Sequence, residues 1–222
     1  MCGRYTLTKP LKAIKKHFEP IILSCDHNQR YNISPGQNNP VVTMTNSQRE
    51  LKLMRWGLIP SWIKDIKTTK PLINARSETV HQKPSFRDSF HASRCLIPVD
   101  GFLEWKTEGV KKFPYFIFLN QKDIFSFAGI WTKGYKETSP IHTFSILTTQ
   151  ANTVLAPIHE RMPVIIKPSD YNKWLAPETD SSILRSLLLP FSGKRMHAHQ
   201  VSTEINSYKN DRDGLLNPIN QV

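Results

Sequence analysis

The chain has 222 residues, of which 39% are hydrophobic and 22% charged, as in a soluble globular protein with one sizeable core. Its longest apolar runs, such as SLLLPF and PVII, are too short to cross a bilayer, and residues 1–20 lack the apolar segment of a secretory signal. Lysine and arginine (30) outnumber aspartate and glutamate (18), which gives a net charge of +12 that favours a polyanionic partner such as nucleic acid, although a basic solvated surface explains the charge equally well. We therefore expect a cytoplasmic protein with no membrane partner and one domain over residues 1–222.

The pattern along the chain predicts many strands and a few helices. Residues 10–18 predict a helix, VVTMT and LKLMRW predict a hairpin, and YFIFL with DIFSFAGIW predict a second hairpin around NQKD. HTFSILTT and MPVII are further predicted strands, whereas SDYNKWL and DSSILRSLLL begin with capping residues and predict helices. No βαβ rhythm is present, so the expected fold class is α+β, built around a bent or barrel-like sheet.

The cysteines do not predict a disulfide framework or a metal site. Cys2, Cys25 and Cys95 are odd in number and form no C-x-x-C pair. His197 and His199 are spaced to line one face of a strand, with no acidic or thiol ligand close in sequence. We expect no metal and no cofactor.

Cys2 follows the initiator Met1 in the opening MCGRYTL. If Met1 is removed, Cys2 presents an α-amine and a thiol on adjacent carbons. Roughly a quarter of such an amine is neutral at pH 7.4, and several per cent of an ordinary thiol is thiolate. This pair can condense with an aldehyde and close to a thiazolidine ring. Alternatively, Cys2 only permits removal of Met1 and packs as a small apolar residue.

Three other segments carry polar groups suited to chemistry. In PLINARSET, Asn74 and Arg76 would share one face of a strand and could orient a polar ligand and a phosphate, or simply form a polar edge with Arg76 paired to Glu78. In CLIPVDGFLEWK, Glu104 is either a solvent-facing residue or a carboxyl whose pKa is raised by apolar neighbours. In ANTVLAPIHERMPVII, His159 could shuttle protons, or it is a loop histidine without a role.

An ordered set of motifs resembles the SRAP family, the SOS-response-associated peptidases. The matching segments are MCGRYTL (1–7), RYNISPGQ (30–37), RWGLIPSW (55–62), LINARSET (72–79), KPSFRDSF (83–90), RCLIPVDGFLEWK (94–106) and IHERMPVII (158–166). The resemblance implies a compact α+β domain with a distorted β-barrel-like sheet core, peripheral helices and a basic cleft. It also implies binding of single-stranded DNA and a reversible thiazolidine crosslink between Cys2 and abasic sites, which shields the lesion during the DNA damage response.

The resemblance also implies roles for individual residues. Cys2 would be the nucleophile, Asn74 would hold its amine, Glu104 would move protons, and His159 would assist opening of the deoxyribose ring and release of the crosslink. Residues implied to contact DNA are Arg4 and Arg76 as phosphate clamps, Pro35, Gly36 and Trp62 against the bases, and Lys83 and Arg161 along the phosphate track. A monomer that associates with the nucleoid when bound to DNA is expected.

Three other functions compete with this expectation. A cysteine peptidase acting on its own N-terminus would use Cys2, Glu104 and His159 for acyl transfer, and the segments quoted above do not indicate the oxyanion hole it needs. A non-covalent binder would not need Cys2. An abasic-site lyase would divert the same imine to strand cleavage, but closure of the thiazolidine removes the imine that elimination requires.

Overall fold

The computed structural model describes residues 2–63, 69–120, 123–136 and 139–219. The strands are β1 (Arg4–Leu7), β2 (Ile21–Leu23), β3 (Arg30–Ile33), β4 (Asn38–Thr45), β5 (Gln48–Trp56), β6 (Asn74–Arg76), β7 (Arg94–Val99), β8 (Gly101–Glu108), β9 (Lys111–Leu119), β10 (Phe125–Lys136), β11 (Ser139–Gln150), β12 (Arg161–Pro163), β13 (Ile165–Ile166) and β14 (Met196–Gln200). The helices are α1 (Leu11–Phe18), α2 (Pro84–Ala92), α3 (Tyr171–Leu175) and α4 (Ser181–Ser186), with 3-10 turns at Pro168–Asp170, Gly193–Arg195 and Thr203–Asn206.

Five strands close into a barrel. The antiparallel ladder runs β5–β4–β7–β10–β11, and β11 then pairs in parallel with β5 through Thr143–Arg55 and Phe144–Trp56. The interior is tightly filled, since a Cβ on Gly129 would lie 2.3 Å from Ile97 Cδ1. This closed barrel with peripheral helices confirms the α+β, barrel-like fold class.

A second sheet of five strands carries the N-terminus. Its order is β14–β9–β8–β1–β3, and β1 is antiparallel to both β8 and β3. Asp100, between β7 and β8, holds β1 in place by accepting hydrogen bonds from the Thr6 hydroxyl at 2.5 Å and from the Thr8 amide at 2.7 Å. The residues that precede β1 are thereby fixed against β8.

The local patterns predicted most of the elements correctly, but they also predicted one wrong strand pairing. Helix α1 begins after Pro10 and buries Ile14 and Phe18, four residues apart on one face. Strands β4 and β5 form the predicted hairpin, whose two-residue turn places Asn46 and Ser47 at positive φ. The second predicted hairpin is wrong: β9 pairs with β8 and β14, whereas β10 pairs with β7, β11 and β13.

The helices predicted at SDYNKWL and DSSILRSLLL are confirmed as α3 and α4, but each is shorter than the predicted segment. Asp180 caps α4 by accepting a hydrogen bond from the Ser182 amide at 2.7 Å. Residues 121 and 122 of the predicted NQKD turn lie outside the described residues. No helix in the described ranges has the length and apolar character to span a membrane.

Candidate active site around Cys2

Asn74 contacts the main chain of Cys2. Strand β6 pairs in parallel with β11, and this pairing, Asn74 opposite Ile146, presents the Asn74 amide to the segment before β1. Its Nδ2 donates a hydrogen bond to the Cys2 carbonyl at 2.9 Å. Its Oδ1 is buried and accepts no hydrogen bond from any residue that the structure describes. Asn74 is therefore placed to fix the Cys2 backbone and retains acceptor capacity beside it.

Glu104 is a buried carboxyl on β8, next to Leu103, which pairs with Arg4 of β1. The residue is only 3% exposed, so the solvent-facing interpretation is wrong. Burial raises the pKa of Glu104 to about 7, as the apolar neighbours of this strand predicted. Near pH 7 the group therefore exists in comparable amounts as acid and as base, which suits it to proton transfer.

The Cys2 thiol is fully buried. Burial first, and the charge of Glu104 second, raise the pKa of Cys2 well above its usual value. The ordinary thiolate fraction expected from the sequence is therefore wrong for this environment. Cys2 is a thiol near neutral pH, and its proton must leave when the sulfur reacts. Glu104 acts on this thiol because it follows Leu103 in β8, and Leu103 pairs with Arg4, two residues after Cys2.

His159 lies in the turn between β11 and β12. Its Nδ1 accepts a hydrogen bond from the Arg161 amide at 3.0 Å and lies 3.3 Å from the Arg161 carbonyl. The shorter contact, in which Nδ1 is the acceptor, favours the neutral tautomer with its proton on Nε2. Burial lowers the pKa of His159, which keeps the ring neutral at physiological pH. The backbone of Arg161 thus sets the tautomer of the histidine.

Glu104 and His159 line one cavity of about 440 Å³. The other lining residues are Trp105, Thr107, Lys112 and Asn206. The four residues proposed for catalysis are linked in three steps: Asn74 contacts Cys2, the charge of Glu104 acts on the Cys2 thiol, and His159 shares a cavity with Glu104. This arrangement can bind a small polar group and pass protons to and from it.

Arg4 and Arg161 form internal contacts. The Arg4 guanidinium donates to Asn32 Oδ1 at 2.6 Å and to the carbonyls of Ile205 and Asn206. Arg161 forms a bidentate ion pair with Glu78 at 2.7 and 2.9 Å and donates to the Thr148 carbonyl. Glu78 thus pairs with Arg161, whereas the sequence left a pairing with Arg76 open.

The other candidate DNA contacts lie towards solvent. Arg76 and Lys83 are exposed, and neither forms an ion pair within the described part of the chain. Trp62 is 54% exposed, in the turn that follows Pro60. Pro35 and Gly36 form a turn with Gly36 at φ +86°, and the Gly36 amide donates to the Trp56 carbonyl. All are available to a ligand.

Lys112 and Asn206 of the site had no signal in the sequence. Trp105 Nε1 donates to Asn206 Oδ1 at 2.8 Å, and Lys112 completes the cavity wall from β9. The partner of Trp105 lies 101 residues away, in a tail with no distinctive motif. Only the pairing of β8 with β9 and the return of the tail to β1 assemble this wall.

The His-x-His pair on β14 has other partners. His197 Nε2 contacts Asn120 Oδ1 at 2.8 Å, and His199 Nε2 contacts the Leu216 carbonyl at 2.9 Å. Across the residues that the structure covers, no group of three or more histidine, cysteine, aspartate or glutamate side chains could hold a metal ion.

Comparison with known proteins identifies the family. A family model described as SOS response associated peptidase (SRAP) matches residues 1–208. The abasic site processing protein YoqW of Bacillus subtilis is 40% identical over 97% of this chain and 99% of its own length. The abasic site processing protein YedK of Escherichia coli is 29% identical over 86% of this chain and 85% of its own.

A structural relative and a vertebrate relative extend the comparison. A crystal structure of a protein from Bacteroides thetaiotaomicron matches 98% of this chain and 100% of its own, with a TM-score of 0.85 and 28% identity. The abasic site processing protein HMCES of Gallus gallus is 31% identical over 85% of this chain and 66% of its own. The family match covers most of the chain, including every residue of the candidate site, and the chain is therefore a member of the SRAP family.

Proposed function

We propose that this protein binds single-stranded DNA and processes abasic sites by covalent capture through Cys2, after removal of Met1. Family membership and relatives named as abasic site processing proteins support the proposal. The single observation that carries it is the Asn74–Cys2 hydrogen bond beside a buried carboxyl of pKa about 7. These groups surround the one residue whose amine and thiol can both react with an aldehyde.

The reaction joins the two groups of Cys2 to one carbon. The ring-opened deoxyribose of an abasic site presents an aldehyde at C1′. The Cys2 amine adds to this carbon, and loss of water gives an imine. The Cys2 sulfur then adds to the imine carbon, its proton passes by way of a nearby base to nitrogen, and a thiazolidine forms. The overall change is aldehyde plus aminothiol to thiazolidine plus water.

The buried side chains divide the proton transfers. Glu104 accepts a proton as base and returns it to the leaving hydroxyl as acid, because its pKa lies near the working pH. The Nε2 proton of neutral His159 is delivered to the sugar ring oxygen during ring opening, and the reverse transfer assists crosslink release. Asn74 Oδ1 accepts a hydrogen bond from the Cys2 amine, and Asn74 Nδ2 donates one to the Cys2 carbonyl.

The exposed basic and aromatic residues would bind the flanking nucleotides. Arg76 and Lys83 contact phosphates, and Trp62 with the Pro35–Gly36 turn contacts bases, where stacking contributes about 1–3 kcal/mol per base. Arg4 and Arg161 contribute positive charge at the edge of this track while they hold the site together. The protein acts as a monomer in the cytoplasm and on the nucleoid.

Peptidase and lyase activities are secondary in this proposal. Peptidase chemistry is limited to exposure of Cys2, either by self-cleavage or by an aminopeptidase. Strand cleavage through the imine is minor for the wild type, and it increases in Cys2→Ser because the hydroxyl closes the ring poorly. Intact-mass measurement of purified protein checks the first point, since retention of Met1 leaves an amide in place of the reactive amine.

The decisive experiment is a denaturing gel with a single-stranded oligonucleotide that carries one abasic site. Wild type and Cys25→Ala, which removes a thiol outside the site, should give a band that survives heat and detergent. Cys2→Ala should give none, and DNA without the lesion should give none. A wild-type protein with a confirmed Cys2 N-terminus that forms no such band would contradict the proposal.

A further inference from the structure

A second and larger cavity lies away from Cys2. It has a volume of about 990 Å³ and adjoins a smaller one of about 310 Å³. The two share Ile165, Ile166, Lys167, Phe191 and Ser192, so together they form one continuous groove. None of the residues that line this groove lines the cavity of Glu104 and His159.

Strand β9 runs from the Glu104–His159 cavity to the groove, so its length measures the distance between the two sites. Lys112, near its start, lines the Glu104–His159 cavity, and Leu119, at its end, lines the groove. At roughly 3.3 Å per strand residue, these positions are about 23 Å apart. The groove is thus far enough from Cys2 to be occupied while DNA is bound there.

The groove has an apolar floor. Ile165 and Ile166 of β13 and Phe125 of β10 form its base, and Leu119 and the half-buried Phe191 extend it. Leu189, which is 68% exposed, lies at the end formed by the smaller cavity. Such a floor favours a ligand with at least one large apolar side chain.

The walls of the groove are basic. The lining cations are Lys9, Lys16, Lys167, Lys194 and Arg195. None of these five forms an ion pair with another residue that the structure describes. The acidic residues of the groove are Asp170 and the exposed Asp123, and Asp170 already pairs with Lys173 at 3.0 Å. His17 also lines the groove but adds no positive charge to it, because burial lowers the pKa of its ring. Its Nε2 contacts the Tyr171 hydroxyl at 2.9 Å. The groove therefore has more cationic than acidic side chains, and its charge is complementary to an anion.

We propose that this groove binds an acidic peptide segment of a partner protein, with an aromatic or aliphatic side chain seated on the floor. Carboxylates of the peptide would pair with the lysines of the walls, and the apolar side chain would cover Ile165 and Phe125. A nucleic acid fits less well: the floor is recessed and mainly aliphatic, whereas single strands are held on exposed aromatic platforms.

The test uses a fluorescein-labelled peptide of about ten residues, composed of aspartate and serine with one central phenylalanine, and measures anisotropy on the full chain. We expect a Kd of roughly 1–100 μM. Replacing the phenylalanine by alanine should weaken binding about tenfold, since the apolar contact is lost. A peptide with lysine in place of aspartate should not bind.

A matched pair of protein variants locates the site. The groove variant combines Lys16→Glu with Lys194→Glu and reverses two charges in the groove. The control variant combines Lys12→Glu with Lys15→Glu and reverses two exposed charges of α1 that do not line the groove. The groove variant should bind the peptide at least about tenfold more weakly, and the control should stay within about twofold of wild type. Both should capture abasic DNA at the wild-type rate.

Three outcomes would overturn the proposal. The peptide could fail to bind the wild type, or both variants could lose it equally, which would indicate only the general field of the protein. The groove variant could instead lose affinity for intact single-stranded DNA while the control does not. That result would make the groove a nucleic-acid surface.

Discussion

The side-chain amide of Asn74 donates a hydrogen bond to the Cys2 carbonyl at 2.9 Å, across 72 residues of sequence. This contact exists because β6 is inserted in parallel beside β11, with Ala75 buried between two polar neighbours. It fixes the position of the chain immediately before β1, where the proposed nucleophile lies. Correct placement of reacting groups is a large part of the rate of a two-component condensation.

Asn74→Ala should slow crosslinking without unfolding the protein. The variant loses both the donor to the Cys2 carbonyl and the acceptor Oδ1, so Cys2 is held less well. We expect the single-turnover rate with abasic DNA to fall about 10–100-fold, while binding of undamaged single-stranded DNA stays unchanged. The exposed Asn217→Ala serves as the control, and equal rates for the two variants would remove Asn74 from the site.

Glu104→Gln should change the pH dependence of crosslinking. Two groups must lose a proton for reaction in the wild type: the Cys2 amine, with an ordinary pKa of about 7.8, and Glu104, with a pKa of about 7. Below pH 7 the logarithm of the rate should therefore rise with a slope of about two in the wild type and about one in the variant. The rate at pH 7 should fall about 100-fold.

Quenched-flow sampling of the crosslink between pH 5.5 and 9 measures both slopes. Glu108→Gln, on the same strand but exposed, is the matched control and should follow the wild-type profile. An unchanged slope in Glu104→Gln would show that another group accepts the proton.

Local patterns predicted a substantial part of the fold and the site. The α1 helix, the β4–β5 hairpin and the raised pKa of Glu104 all follow from residues within one segment: apolar spacing, a two-residue turn, and three apolar neighbours. The resemblance to a known family supplied the grouping of Cys2 with Asn74, Glu104 and His159. Spacing alone did not, since each residue had an ordinary structural explanation.

Long-range pairing set the limits of prediction. The wrong pairing of β9 with β10 arose because alternation of apolar residues indicates a strand but not its partner. Lys112 and Asn206 reach the site only through the pairing of β8 with β9 and the packing of Thr203–Asn206 beneath Arg4. The internal ion pair of Arg161 was equally invisible, because Glu78 lies 83 residues away.

Arg76 and Arg161 should respond differently to truncation. Arg76 is exposed and forms no ion pair within the described ranges, so Arg76→Ala should weaken binding of single-stranded DNA and reduce the salt slope of log K by about one. Arg161 is largely buried and pairs with Glu78, so Arg161→Ala should lower the free energy of unfolding by about 1–3 kcal/mol.

Fluorescence anisotropy at several salt concentrations and urea unfolding separate these effects. Lys111→Ala, an exposed cation at the start of β9, controls for the loss of one positive charge. A larger salt-slope change in Arg161→Ala than in Arg76→Ala would reverse the assignment of the two arginines.

Glu104→Gln should also stabilise the protein at high pH. A carboxyl whose pKa rises from 4.5 in the unfolded chain to about 7 in the fold favours folding while it is protonated. Its contribution is complete below pH 4.5 and is lost as the pH rises to 7, by about 3 kcal/mol in total. Glutamine has no such loss, so the free energy of unfolding of the variant relative to wild type should increase by up to that amount between pH 4.5 and pH 8.

Urea unfolding at both pH values measures the difference, and exposed Glu108→Gln should change it by less than about 0.5 kcal/mol. An equal increase in the free energy of unfolding at pH 4.5 and pH 8 would mean that glutamine packs better for reasons other than charge. It would also mean that burial does not raise the pKa of Glu104 to about 7.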